Sequence, residues 1–310
     1  MNADLKKRVI TAGILILVFI LCTVLSVKGF WSSALMWLTA VAVALAAWEF
    51  ATICNKKRPF WWVINYFIVL ILPTALILLG SDPADSDWWF SKSSLPYWLG
   101  SLFSIFYALA LLIICGYRSL EEAENLAKDI FIGIILVGLG GSAVVFIAGL
   151  AATGIGMLAP IFLILVVCAN DIAAYFCGKK FGGPAMAPII SPNKTISGSI
   201  GGFVGGGLVG CLVLSCIFFF LVPKRVEFEN TELSSLDGVP FCLIAFALSL
   251  IFVAAAQMGD LLKSYVKRIH NVKDSGKILP GHGGVLDRID GILLAAFLLA
   301  PLIILLNSYL

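Results

Sequence analysis

Apolar residues in this chain of 310 residues fall into long unbroken runs, and polar residues collect in the short connections between them. Nine runs qualify as helices able to cross a bilayer core about 30 Å thick, which takes about 20 apolar residues. They cover about 9 to 27, 31 to 53, 60 to 80, 96 to 116, 130 to 150, 155 to 177, 200 to 222, 239 to 259 and 291 to 309. The pattern predicts an all-α, polytopic integral membrane protein of about nine transmembrane helices, folded as a single membrane-embedded domain over residues 1–310. No stretch is left for a separate soluble domain. The first run follows Lys6-Lys7-Arg8, as a secretory signal would. It is too long for a typical signal core and no A-x-A site closes it, so it is expected to stay as the first helix.

Composition agrees with the pattern. The chain is 61% hydrophobic and 13% charged, with a mean hydropathy of +1.04, whereas soluble domains are roughly one-quarter charged. Eight cysteines are scattered through or beside the spans without a CxxC pair. They read as free apolar thiols rather than disulfides or metal ligands.

Charge then orients the chain, because Lys and Arg collect on the cytoplasmic side. A cytoplasmic N-terminus places Lys6, Lys7, Arg8, Lys56, Lys57, Arg58, Arg118, Lys128, Lys179, Lys180, Lys194, Lys263, Lys267, Arg268, Lys273, Lys277 and Arg288 on that side. Only Lys28, Lys92, Lys224 and Arg225 fall opposite, together with the C-terminus. Two cytoplasmic connections stand out for their Gly, Pro, Lys and Asp content, Gly178 to Ser199 and Asp260 to Asp290, and long ordered loops of this kind commonly carry function. The segment RSLEEAENLAKD, from Arg118 to Asp129, reads as a solvated surface helix turn.

The second of those connections holds the densest chemistry. If the eighth helix continues past the interface, Asp260, Ser264, Lys267 and Arg268 share a face at i, i+4, i+7 and i+8. In PGHGG, Pro280, Gly281, Gly283 and Gly284 let backbone N–H groups turn toward one point, a concavity suited to phosphate oxygens. Asp287 and Asp290 follow three residues apart at the start of the ninth helix, where the helix dipole favours their ionised form. Carboxylates from two helices with basic residues between them suit a metal-nucleotide site: hard oxygens for Mg²⁺, Lys and Arg for phosphate. A structural ion-pair network is the alternative reading of the same residues.

The string Ser264-x-x-Lys267-Arg268, Lys273-Asp274-x-Gly276, Leu279-Pro280-x-His282-Gly283-Gly284-x-x-Asp287-Arg288-x-Asp290 resembles the characteristic motif of the phosphatidate cytidylyltransferase family, the CDP-diacylglycerol synthases. A second segment is similar to another well-preserved stretch of that family: Asp171-x-x-Ala174-Tyr175-x-x-Gly178-Lys179-x-Phe181-Gly182, then Ser191-Pro192-Asn193-Lys194-Thr195. Asp171 lies inside an apolar run, where a carboxylate marks function by default, with Tyr175 or Lys194 as partner. One departure stands out: many relatives carry Thr-x-Glu-Gly where this chain has Thr195-Ile196-Ser197-Gly198, so no role for that carboxylate carries over.

The resemblance implies CTP plus phosphatidic acid giving CDP-diacylglycerol and pyrophosphate, at a site facing the cytoplasm from an inner membrane. It implies that Asp260 and Asp287 hold Mg²⁺, with a second metal ion open and Asp290 in support. It further assigns Lys267, Arg268, Lys273, Asp274 and Arg288 to the catalytic and phosphate-neutralising set, and His282 to positioning. Asp171, Tyr175, Lys179, Ser191, Lys194, Thr195, Gly283 and Gly284 would receive substrate. A homodimer is compatible with the family, and no nucleic-acid partner is expected.

Residues 1–160 share only the hydropathic pattern and carry no assigned site, while 161–310 are expected to be catalytic. Glu49, near the cytoplasmic end of the second run, reads as a snorkelling or packing acid. Gly202, Gly206 and Gly210, at GxxxG spacing, read as a close-packing helix face. A CDP-alcohol phosphotransferase would need Asp-Gly-x-x-Ala-Arg, but Asp290-Gly291 is followed by Ile292-Leu293-Leu294. A transporter would show two similar halves with paired broken helices, and no such repeat is present.

Overall fold

The computed structural model describes residues 3–27, 33–56, 58–80, 102–110, 120–150, 157–218, 238–281 and 283–309. The apolar runs become helices α1 (Ala3–Val27), α2 (Ala34–Cys54), α3 (Phe60–Gly80) and α4 (102–110). Helix α5 runs from Leu120 to Gly133, passes through a π-helical stretch Ile134–Leu139 and ends as Gly140–Gly149. Helix α6 (Leu158–Phe181) leads into a small antiparallel hairpin, β1 (Ala185–Ala187) and β2 (Ser191–Thr195). Helices α7 (Ile196–Cys216), α8 (Val239–Ile269) and α9 (Leu286–Tyr309) complete the chain. Among the described residues α2, α3, α5, α6, α7 and α8 are long and apolar enough to cross a membrane, in keeping with an all-α polytopic protein. The run at 96 to 116 lies partly outside the described residues.

One apolar core joins α2, α3, α5, α6, α8 and α9, with Phe50, Tyr66, Leu70, Phe146 and Leu286 fully buried in it. Two helices extend furthest beyond their apolar runs. Helix α5 starts at Leu120 and α8 continues to Ile269, because polar partners wait where hydropathy falls away. His270, which caps α8, lies 3.1 Å from both carboxylate oxygens of Asp129 on α5. This corrects the reading of RSLEEAENLAKD as wholly solvated. Leu126 and Asp129 are buried, and only the outer face, with the Glu124–Lys128 pair at 2.7 Å, is open.

Glycine sets how closely the site-bearing helices approach. A Cβ added at Gly205 would lie 2.4 Å from Cβ of Ala173 on α6, and one at Gly206 would lie 2.6 Å from Cγ2 of Val253 on α8. The GxxxG face is therefore a packing seam, as the spacing suggested. Gly205→Leu is expected to destabilise the protein by about 1–3 kcal/mol or more through overpacking. Gly13→Leu, where nothing lies within 4 Å, serves as the neutral control in thermal unfolding in detergent. A second close approach matters for chemistry: a Cβ at Gly259 would sit 2.5 Å from the Asp290 carbonyl oxygen. Bare backbone there lets α8 and α9 touch, and this contact brings Asp260 and Asp290 to one place.

Candidate active site

A cleft of about 540 Å³ opens between α6, the hairpin, α7, α8 and α9, within the ~300–1,000 Å³ range of small-molecule sites. Asn170, Asp171, Tyr175 and Lys179 line it from α6, Lys194 and Thr195 from β2, and Gln257, Asp260 and Lys263 from α8. Asp287, Arg288 and Asp290 close it from α9. Both sequence segments singled out above thus face one cavity.

At its floor, charges from three elements interlock. Helical spacing puts Lys263 one turn after Asp260 and Lys267 one turn later. The Lys263 ammonium lies 3.2 Å from Asp260 Oδ1 and 3.6 Å from Asp287 Oδ1, and it pairs closely with Asp290. Lys267 reaches Asp287 Oδ1 at 2.7 Å, and Lys194 pairs with the other oxygen of Asp260. Three carboxylates therefore meet three ammonium groups. Such pairing is what permits Lys263 to be only 6% exposed, since an unpaired buried ammonium is very costly.

Asp287 is fixed from behind. Its Oδ2 accepts hydrogen bonds from Ser275 N at 2.8 Å, Ser275 Oγ at 2.9 Å and Gly284 N at 3.3 Å. Ser275 also meets Oε2 of Glu49 at 3.0 Å. Glu49 is 3% exposed and accepts the first free N–H groups of α9, from Val285 at 3.0 Å and Leu286 at 2.9 Å. A carboxylate there satisfies donors that a helix start leaves open and meets the positive end of its dipole. Gly276 and Gly284 make room for it: a Cβ at either would lie 2.2 or 2.3 Å from a Glu49 oxygen.

These contacts correct two expectations. Of the two roles expected for Glu49, snorkelling gives way to packing, and through it residues 1–160 contribute a buried support of the loop from Ser275 to Leu286. The N–H groups around Gly283 and Gly284 do not converge on the cleft, because those of Gly284, Val285 and Leu286 are directed at Asp287 and Glu49. Positive φ at Gly281 (76°) and Gly283 (83°) still shapes the loop, which Leu279 N closes onto Gly283 O at 3.0 Å.

Other expected site residues divide between the cleft and its frame. Asp171 accepts from Asn170 Nδ2 at 2.9 Å rather than pairing with Tyr175 or Lys194. Lys179 stands over the Tyr175 ring at 5.9 Å. Thr195 caps α7 by accepting from Gly198 N at 3.1 Å. Arg268 donates to the Ile190 carbonyl at 3.1 Å and so holds the hairpin. Ser191, Ser264, Lys273 and Asp274 are not in the cleft lining, and Lys273 and Asp274 are exposed. His282 lies outside the described residues. Ser197, at the departure from the family pattern, donates to the Gly182 carbonyl and meets Thr195 Oγ1 at 3.1 Å, which ties the end of α6 to the start of α7.

Lys263, Gln257 and Asn170 were missed. Gln257 bridges helices by donating to Asn170 Oδ1 at 2.8 Å and to Ser199 O at 3.1 Å. The available signal was their position: amides inside apolar spans next to Asp171 and one turn before Asp260, and a lysine at i+3 from Asp260.

The donor chemistry suits one hard divalent cation on the cleft side of Asp260, a third of whose side chain is open beside the exposed Asp171. A further cation centred among Asp260, Asp287 and Asp290 does not fit, because the Lys263 ammonium holds that point.

The sequence model of the Cytidylyltransferase family matches residues 6–306. The chain is 30% identical over 300 residues to a phosphatidate cytidylyltransferase of Haemophilus influenzae, covering 93% of this chain and 94% of the relative. It is 39% identical over 216 residues to a phosphatidate cytidylyltransferase of Brucella suis, covering 64% and 73%. With the protein of the same name from Rickettsia bellii it shares 35% over 194 residues, covering 62% and 77%.

Proposed function

The chain belongs to the cytidylyltransferase family, and on that premise we propose that its cleft transfers the cytidylyl group of CTP to phosphatidate, giving CDP-diacylglycerol and pyrophosphate. It is a membrane-embedded nucleotidyltransferase. The observation that carries the reading is the interlocked floor, where Asp260, Asp287 and Asp290 from two helices are held by Lys194, Lys263 and Lys267 at the base of an open cleft.

A triphosphate entering the cleft meets cationic side chains from separate elements, Lys179, Lys194 and Arg288, which offset its charge and hold it in line. A phosphatidate oxygen attacks the α-phosphorus, the new P–O–P bond forms, and the bond to the β-phosphate breaks to release pyrophosphate. The attacking monoester loses its second proton at about pH 6, so no strong general base is required. His282 is assigned a positioning role. Mg²⁺ held by Asp260 on the cleft side would add charge neutralisation at the phosphates. The lipid has its own approach: Tyr175, 62% exposed, lines the cleft and continues an exposed apolar face with Ile172 and Phe176. Acyl chains can stay against that face while the headgroup reaches the cations.

The reaction is assigned to the cytoplasmic face of an inner membrane, where the basic connections gather. Sealed vesicles of known orientation given external α-labelled CTP test chemistry and face together. Label should enter the lipid fraction in inverted vesicles and not in right-side-out ones. Incorporation only in right-side-out vesicles would reverse the orientation, and none in either, after detergent opening and added phosphatidate, would remove the activity.

A further inference from the structure

We propose that the Lys263 ε-ammonium is the resident cation of the three-carboxylate floor, a tethered group standing where a metal ion would otherwise bridge Asp260, Asp287 and Asp290. The inference rests on the reading of this floor as the reaction centre. Its readout is metal occupancy, which needs no turnover, so the two can fail separately.

Geometry carries it. Lys263 leaves α8 one turn after Asp260, and its Nζ contacts all three carboxylates, at 3.2 Å, 3.6 Å and, for Asp290, in close ion-pair contact. Among the described lysines it alone pairs with all three: Lys267 reaches Asp287, and Lys194 reaches Asp260. The close approach of Gly259 to the Asp290 carbonyl fixes the two helices around this point. Lys263 is buried, so withdrawing it would strand both it and Asp290, which is itself 7% exposed.

Charge balance points the same way. Three carboxylates face three ammonium groups, so with all six ionised their charges cancel without a metal. A dication placed among them would gain three oxygen ligands and meet a buried ammonium a few ångströms away, whereas on the cleft side of Asp260 the neighbouring ammonium is that of Lys194, whose side chain is a third open and free to turn toward a phosphate. The protein alone should therefore hold divalent ions weakly, with the single cleft-side ion arriving together with the triphosphate that supplies its remaining ligands.

Titration of the purified, full-length protein with Mn²⁺, read by electron paramagnetic resonance without nucleotide, tests this. Wild type should show no stoichiometric site, and adding CTP should create one. Lys263→Gln vacates the point and should bind Mn²⁺ without nucleotide at least about tenfold more tightly, since a neighbouring like charge shifts site occupancy by one or more powers of ten. Lys263→Arg should behave as wild type. A stoichiometric nucleotide-free Mn²⁺ site in wild type would overturn the proposal, as would a folded Lys263→Gln protein that gains none. If Lys263→Gln fails to fold, the wild-type and Lys263→Arg titrations decide alone.

Discussion

Asp260→Asn should reduce cytidylyl transfer by at least about 10²- to 10³-fold, the scale on which loss of one preorganised electrostatic group acts. Asn keeps the size of Asp and some of its hydrogen bonding, so α8 should still pack on α9 through Gly259. The charge is what disappears. Lys194 and Lys263 then face a neutral partner, and the cleft loses the carboxylate best placed to hold a divalent ion. Turnover of the variant in detergent, set beside its thermal unfolding, checks this. Collapse of activity with little change in midpoint is the expected result, and wild-type turnover would take Asp260 out of the mechanism.

Glu49→Gln should have the second-largest effect, although Glu49 does not line the cleft. It holds Val285 N, Leu286 N and Ser275 Oγ, and Ser275 in turn holds Asp287 through its backbone N–H. An amide in its place offers one acceptor oxygen where two are used and points N–H groups at donors. A buried donor left unmet costs about 1–3 kcal/mol. Turnover should fall about tenfold or more, and exchange of the Val285 and Leu286 amides with deuterium should quicken. Glu49→Asp, which keeps the charge on a shorter arm, should lie between. If exchange and turnover both stay at wild-type values, the acid does not support the loop.

Helical class, the apolar runs of α2, α3, α5, α6, α7 and α8, and the two segments that meet at one cleft were legible because each rests on local pattern: run length for the helices, fixed spacing for Asp260, Asp287, Asp171 and Lys194. What escaped the sequence was pairing at long range. Glu49 lies 226 to 237 residues from the groups it binds, and its nearness to a span end leaves snorkelling and packing equally open until the helix N-terminus beside it is seen. The glycines of PGHGG were read as freeing N–H groups for phosphate. Their spacing says that backbone comes close to something negative, but not that the negative group is another part of the chain. Lys263 was counted only as one positive charge on its side of the membrane, because nothing in its neighbours along the chain shows that three carboxylates fold around it.

The central claim, that this floor and cleft join a nucleotide to a lipid phosphate, is tested most directly by pyrophosphate release from the purified protein in mixed micelles. Release is expected only when CTP and phosphatidate are both present, matched mole for mole by CDP-diacylglycerol. Pyrophosphate released from CTP without the lipid, or none released by folded protein given both, would contradict it.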